Sequence, residues 1–350
     1  MTNPAPANKL LRTLAVSALP SRTPAFADER GRVVPGSVAA METVTIGGLP
    51  QRLWFRGLNR EDPALVFLHG GPGGSLGALL RRYNAELERH FLVVTWEQRG
   101  AGRSYTRGIP SASMTVEQFV RDLGEVVALV KARFRKDQVV LLAHSWGTIL
   151  GTLYVYRHPE DVAAYVGVGQ IANMPEGERL SYDFVLEEAK RRGNRRALSE
   201  LERIGPPPHA FSAMRAERTW VGRFGGDVYT APTTSELLLE ALRADEFNLL
   251  DLVKLVQGSR FSAKHLWPEM SRTDLSRSML SFDAPMLFLL GRHDRVVPGA
   301  LAAAYLEQLS APYKKLVWFE RSAHNPNFEE PERFNRVVLE EVRAAVARPS

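Results

Sequence analysis

The chain has no cysteine among its 350 residues. That excludes disulfides, thiolate metal ligands and a cysteine nucleophile. It also lacks long apolar runs, and no stretch approaches the roughly 20 residues that span a bilayer. No H-E-x-x-H or clustered His–carboxylate spacing appears, which argues against a metal centre. G-x-x-x-x-G-K-[ST] is absent, as is a correctly placed G-x-G-x-x-G, which argues against a nucleotide phosphate loop. We therefore expect no cofactor and no metal. The net charge is +6, but the arginines are scattered among carboxylates without a basic stripe or interleaved aromatics. The densest cluster, Lys190-Arg191-Arg192 with Arg195-Arg196, reads as a solvated helix face, so no nucleic-acid partner is expected.

What is present is the material for a large core. Hydrophobic residues make up 45% and charged residues 24%, as in an ordinary water-soluble domain or a domain with an insertion. Residues 1–40 are rich in Pro, Ala and Arg and read as an arm. Within it Lys9 and Arg12 precede an apolar run at 14–19, and Ala25-Phe26-Ala27 has the form of a signal-peptidase site. The run ends at Pro20, so the chain is read as cytoplasmic, with secretion as the alternative.

Strands are expected at 42–46 and 51–56, joined as a hairpin at Gly47-Gly48, and then at 64–68, 91–96, 139–143, 162–168, 285–290 and 315–319. Helices are expected at 79–90, from Thr115 (with Val116, Phe119, Leu123, Val127 and Val130 inward), over 146–157, around 301–309 and from Pro331. This alternation implies a mostly parallel, doubly wound α/β sheet. Between about 171 and 270 it gives way to helices interrupted at Gly205-Pro206-Pro207-Pro208 and Phe224-Gly225-Gly226-Asp227. The expected organisation is an arm (1–40), a core (41–170 and 271–350) and an inserted helical cap (171–270).

The stretch Val139-Val140-Leu141-Leu142-Ala143-His144-Ser145-Trp146-Gly147-Thr148 runs from an apolar strand into a helix with Ser145 at the turn. This is the setting of a nucleophile elbow, G-x-S-x-G, with Ala143 in place of the first glycine. Gly147 meets the demand for a small residue, and Gly151 would let the helix lie close to the sheet. A serine hydroxyl needs a base, and the base an orienting carboxylate. Two later strands each end in a loop bearing a candidate: Asp294 in Gly291-Arg292-His293-Asp294, and His324 in Ser322-Ala323-His324. Taken alone, Asp294 could cap a turn and His324 could be a surface histidine. Three such residues in the order Ser, Asp, His, each beyond a strand, point to a triad. His144 and His293 are rival bases, but His144 should point away from its neighbour Ser145 and His293 shares the acid's loop. For the oxyanion hole, the backbone N–H groups of Trp146 and Gly71 are the candidates, Gly71 lying in His69-Gly70-Gly71-Pro72-Gly73-Gly74. His69 itself reads as a structural hydrogen-bonding residue.

With these residues placed, the chain over 40–350 resembles the α/β-hydrolase superfamily, and within it the proline iminopeptidase-like group. The resemblance rests on the segments above together with Trp96-Glu97-Gln98-Arg99-Gly100-Ala101-Gly102-Arg103-Ser104. It implies the α/β-hydrolase fold and makes 97–104 a buttressing turn, with Arg99 in a structural ion pair. It also implies hydrolysis through an acyl-enzyme. Proline iminopeptidases carry a Trp-x-x-Trp-Glu segment in the cap, whose acid helps hold the substrate's amino group. Here the nearest stretch is Trp220-Val221-Gly222-Arg223, so Glu217, Asp227, Asp245 and Glu246 are the possible substitutes. Apolar candidates for the substrate site are Trp220, Phe224 and Trp267, with Phe184 and Phe247 behind them; any of these could instead be cap core. We expect a serine esterase or amidase acting on a small ester or short peptide. An aminopeptidase is the alternative, and a non-catalytic binding protein the more remote one.

Overall fold

The computed structural model describes residues 22–230 and 232–347. Of the arm expected over 1–40, residues 1–21 lie outside the described residues, and with them Lys9, Arg12 and the apolar run. Apolar β-branched runs bounded by glycine and polar turns form eight strands: β1 (Val38–Ile46), β2 (Leu49–Gly57), β3 (Ala64–Leu68), β4 (Leu92–Glu97), β5 (Val139–His144), β6 (Val162–Val168), β7 (Met286–Gly291) and β8 (Lys314–Phe319). They make one sheet in the order β1-β2-β4-β3-β5-β6-β7-β8. The first two pairings, β1 with β2 and β2 with β4, are antiparallel, and the rest are parallel. The β1–β2 hairpin closes through Gly47 and Gly48, both at positive φ (53° and 74°), which glycine adopts without a Cβ clash.

Every residue of β3, β4, β5 and β7 is buried, as expected of strands covered on both faces. One face packs against α2 (Val116–Phe134), α3 (Trp146–Arg157) and α9 (Gly299–Gln308). The other is covered by α1 (Gly77–Asn84) and α11 (Pro331–Val346), through Leu80, Phe334, Val338 and Val342. Thr115 caps α2 by accepting a hydrogen bond from Gln118 N, and all five of its expected inward residues are buried.

The helix expected over 79–90 ends early: α1 stops at Asn84 and a 3-10 turn follows over Ala85–Arg89. Asn84 is buried there and donates to the Asn327 carbonyl (3.0 Å) and to Asn335 Oδ1 (2.8 Å). Its side chain thus serves the α11 side of the fold rather than a solvated helix surface. Between β6 and β7 the described chain is helical: α4 (Met174–Arg191), α5 (Arg195–Ile204), α6 (Phe211–Arg223), α7 (Thr234–Arg243) and α8 (Leu249–Met270). The asparagines Asn173, Asn194 and Asn248 and Thr233 cap four of them. A short helix that periodicity does not reveal, α10 (Pro326–Glu329), follows His324. No helix among the described residues is long and apolar enough to cross a membrane.

Candidate active site

In the parallel part of the sheet, the carboxyl ends of the strands face one edge, where crossover loops gather. The loop after β3 brings Gly70 and Gly71, the turn after β5 brings Ser145, and the loops after β7 and β8 bring Asp294 and His324. Ser145 stands at φ 53°, ψ −122°, a conformation that costs a non-glycine residue on the order of 1–3 kcal/mol. Local bonds hold it there: Ser145 N–H donates to the Val168 carbonyl (2.9 Å), and Thr148 Oγ1 donates to the Ser145 carbonyl (2.6 Å). A Cβ on Gly147 would fall 2.2 Å from the Leu68 carbonyl oxygen, and one on Gly151 2.6 Å from the Tyr165 ring. Both glycines therefore let α3 start tight against the sheet.

Asp294 is buried and fully engaged. Its Oδ1 accepts from the backbone of Val296 (2.9 Å) and Val297 (2.8 Å), and its Oδ2 meets His324 Nδ1 at 2.7 Å. With Nδ1 facing the carboxylate, the other ring nitrogen of His324, Nε2, is left for the nucleophile. Burial pulls the His324 pKa down, but the Asp294 carboxylate, aided by Asp227, outweighs it and holds the imidazole above its ordinary value.

The rival histidines have other duties. His144 donates from Nε2 to the His324 carbonyl (3.0 Å), and burial pushes its pKa down to about 3. It lines the same cavity as Ser145 and braces the base's loop. His293 stacks on Tyr229 with ring centroids 3.4 Å apart and bonds the Glu320 carbonyl. His69, buried with its pKa lowered to about 4 by desolvation, accepts from Gln98 N–H (3.2 Å), so its Nδ1 donates to the Gly70 carbonyl (2.8 Å).

The His69–Gly74 loop lies directly on the nucleophile. A Cβ on Gly70 would sit 2.9 Å from Ser145 Cβ, and Gly71, at φ +118°, would carry one into the Gly74 nitrogen at 2.6 Å. Gln98 ties this loop to the elbow by accepting from Trp146 Nε1 (2.9 Å) and donating to the His69 carbonyl (3.0 Å). Sequence reading did not single out Gln98. Arg99 makes the ion pair that the resemblance implies, two hydrogen bonds of 2.9 and 3.0 Å to the buried Asp122.

Ser145 and His324 open on a cavity of about 270 Å³, walled by Gly70, Gly71, Met174, Met214, Trp267 and Met270 among others. Trp267 is one of those walls, with its indole N–H on the His209 carbonyl (2.8 Å). Trp220 and Phe224 are not among its walls. They pack on each other, centroids 5.6 Å apart, in a separate apolar cluster with Tyr182, Val185, Ala197 and Leu201. They are cap core, the other fate named for them, at the contact among α4, α5 and α6. Phe184 borders that cluster, and Phe247 packs on Trp54.

The polar group that does reach the cavity is Arg218. It donates to Glu217 (2.7 Å) and Ser181 (2.8 Å) and pairs with Glu178. Both carboxylates are buried, and burial raises the pKa of Glu178. Of the other cap acids, Glu246 pairs with Arg81 at 2.5 Å and Asp227 lies against Asn325. Asp245 accepts at its backbone carbonyl from Arg22 N–H (3.0 Å). No carboxylate is among the described residues lining this cavity, while Asp227 lines the one beside it.

Comparison with known proteins agrees with this architecture. The profile of the Alpha/beta hydrolase family matches residues 65–337. A probable aminopeptidase, YbaC, of Bacillus subtilis (strain 168) is 34% identical over 316 residues, covering 88% of this chain and 97% of that one. A proline iminopeptidase of Heyndrickxia coagulans is 25% identical, over 80% of this chain and 90% of its own. The crystal structure of a Mycobacterium smegmatis proline iminopeptidase superposes with a TM-score of 0.63 at 16% identity, covering 88% of this chain and 99% of that one. Strand order, crossing loops and sequence thus agree: the chain is a hydrolase and belongs to the alpha/beta hydrolase family.

Proposed function

We propose that the protein is a serine hydrolase that cleaves carboxylic esters through an acyl-enzyme on Ser145. The observation that carries the reading is the 2.7 Å Asp294–His324 contact on the wall of the cavity into which the strained Ser145 opens. In this mechanism His324 Nε2 takes the Ser145 hydroxyl proton as Oγ attacks the substrate carbonyl. The N–H groups of Gly71 and Trp146 receive the oxyanion, and His324 returns the proton to the departing oxygen. Water then repeats the sequence on the acyl-enzyme and frees Ser145. Asp294 keeps its charge throughout, holding the ring in one tautomer and stabilising the imidazolium. Residues 171–270 act as a cap over a core of 41–170 and 271–350. The substrate is a small-molecule ester, and neither metal nor cofactor takes part.

A second reading, an aminopeptidase, draws on the names of the relatives. It requires a carboxylate free to meet the substrate ammonium, because an unpaired buried charge is costly. Glu217 and Glu178 are instead engaged by Arg218, and of these three it is Arg218 that borders the cavity. This favours the ester. The deciding experiment compares kcat/KM on matched p-nitrophenyl esters and prolyl p-nitroanilide at neutral pH. A clear preference for the free-amine substrate reverses the ranking and makes Glu217 the first residue to mutate.

A further inference from the structure

A second cavity, about 650 Å³ in volume, adjoins the one that holds Ser145. The two share Gly74, Leu76, Met214 and Ala263 as wall residues, so they lie side by side. The larger one is a mainly apolar groove among α1, α7, α8 and α10, lined by Leu79, Leu237, Ala241, Leu255, Val256 and Phe328, with Arg215, Asp227 and Arg260 as its charged walls. Its rim continues outward as an apolar stripe on α8: Leu250, Val253 and Val256, three residues apart, are 73%, 52% and 69% exposed. An exposed apolar row leading into a groove is a feature of binding surfaces rather than of solvated helices.

We infer that this groove binds the leaving-group limb of the substrate, and that the enzyme is therefore directed to esters of short acyl groups with long, apolar alcohols. The inference rests on the serine-ester reading above. Direction comes from the base. His324 must hand its proton to the departing oxygen, so the departing limb lies on the side of the His324 loop. Asn325, the next residue, is part of the groove wall, as is Phe328 on the helix that follows. The acyl group then occupies the smaller cavity, beside Met174, Trp267 and Met270. Its limited volume sets the preference for short acyl groups, while the groove accommodates the alcohol.

The test is a series of acetate esters, from ethyl through butyl and hexyl to octyl, followed by pH-stat titration, with p-nitrophenyl acyl esters from acetate to octanoate as the matching acyl series. In the wild type kcat/KM should climb by roughly threefold per methylene of the alcohol and fall with acyl length. Leu255→Asp and Val256→Asp put a charge on the groove wall and rim, away from the triad. Each should lower kcat/KM for octyl acetate at least tenfold more than for ethyl acetate. No response to alcohol length overturns the proposal, as do equal losses on ethyl and octyl acetate or losses confined to the acyl series. A separate readout is calorimetric titration with 1-octanol, which should bind the wild type and Ser145→Ala alike and bind Leu255→Asp at least tenfold more weakly. Undiminished 1-octanol binding by Leu255→Asp, or none by the wild type, also overturns it. Failure of the serine reading shows differently, as ethyl acetate hydrolysis that survives in Ser145→Ala.

Discussion

A Cβ placed on Gly169 would lie 2.9 Å from Cε1 and 3.0 Å from Nδ1 of His324. Gly169 follows β6, sits at φ +55° and forms the floor on which the imidazole rests. Gly169→Ala should therefore displace the ring from Asp294. We expect kcat/KM to drop at least tenfold, with a stability loss of about 1 kcal/mol from the positive φ. Activity assays alongside urea denaturation check this. Full activity at wild-type stability would show that the ring does not depend on that floor.

Ser145→Ala, His324→Ala and Asp294→Asn should each lower turnover by several orders of magnitude and leave the fold intact. The losses should not add in double variants, because the three groups act as a unit. A fluorophosphonate should label Ser145 once per chain, and more slowly in His324→Ala. Peptide mass spectrometry that put the label elsewhere would refute the assignment.

The pH profile follows from the same contact. His324 acts as a base only when neutral, and its pKa stands above the ordinary imidazole value of 6.5. The acid limb of kcat/KM should therefore lie above pH 6.5, with activity rising as pH increases through it. Asp294→Asn removes the main group that raises the pKa and leaves desolvation to dominate, so the residual activity should show its acid limb shifted downward. Steady-state rates measured across the pH range read both positions.

Arg218→Met should destabilise the protein at neutral pH by about 3 kcal/mol, because it leaves Glu178 and Glu217 buried without their cation. The deficit should shrink toward acid. A buried carboxyl whose folded pKa is raised opposes folding as pH climbs above 4.5, and it is relieved when protonated; burial already holds Glu178 on that side. Denaturation of the variant at several pH values gives the slope. The triple variant Glu178→Gln, Glu217→Gln, Arg218→Met should recover part of the loss at neutral pH.

What the sequence made legible was whatever local periodicity and turn chemistry control. Val139–His144 reads as a buried strand because it is short, apolar and β-branched, and the elbow reads from Ser145 between a strand and Gly147. Asp294 and His324 could be placed because each follows a strand by a few residues. The cap resisted the same treatment. Trp220 and Trp267 lie on helices and Phe224 just past the end of α6, all three buried, but they differ in what they face: neighbouring cap helices for Trp220 and Phe224, the Ser145 cavity for Trp267. Only the packing of one helix against another separates these cases. Gly169 and Gln98 stayed hidden for a similar reason. Their partners, His324 and the pair His69 and Trp146, are distant in the chain, so no spacing rule connects them.

The segment that follows α6 bears on how a substrate could enter. Arg295 N–H donates to the Gly226 carbonyl (2.9 Å), and His324 N–H donates to the Asp227 carbonyl (3.0 Å). One short strap is thus stitched by backbone bonds to the loops of both acid and base. A hinge there could not swing without dragging the catalytic pair out of register, so that flank behaves as a fixed wall.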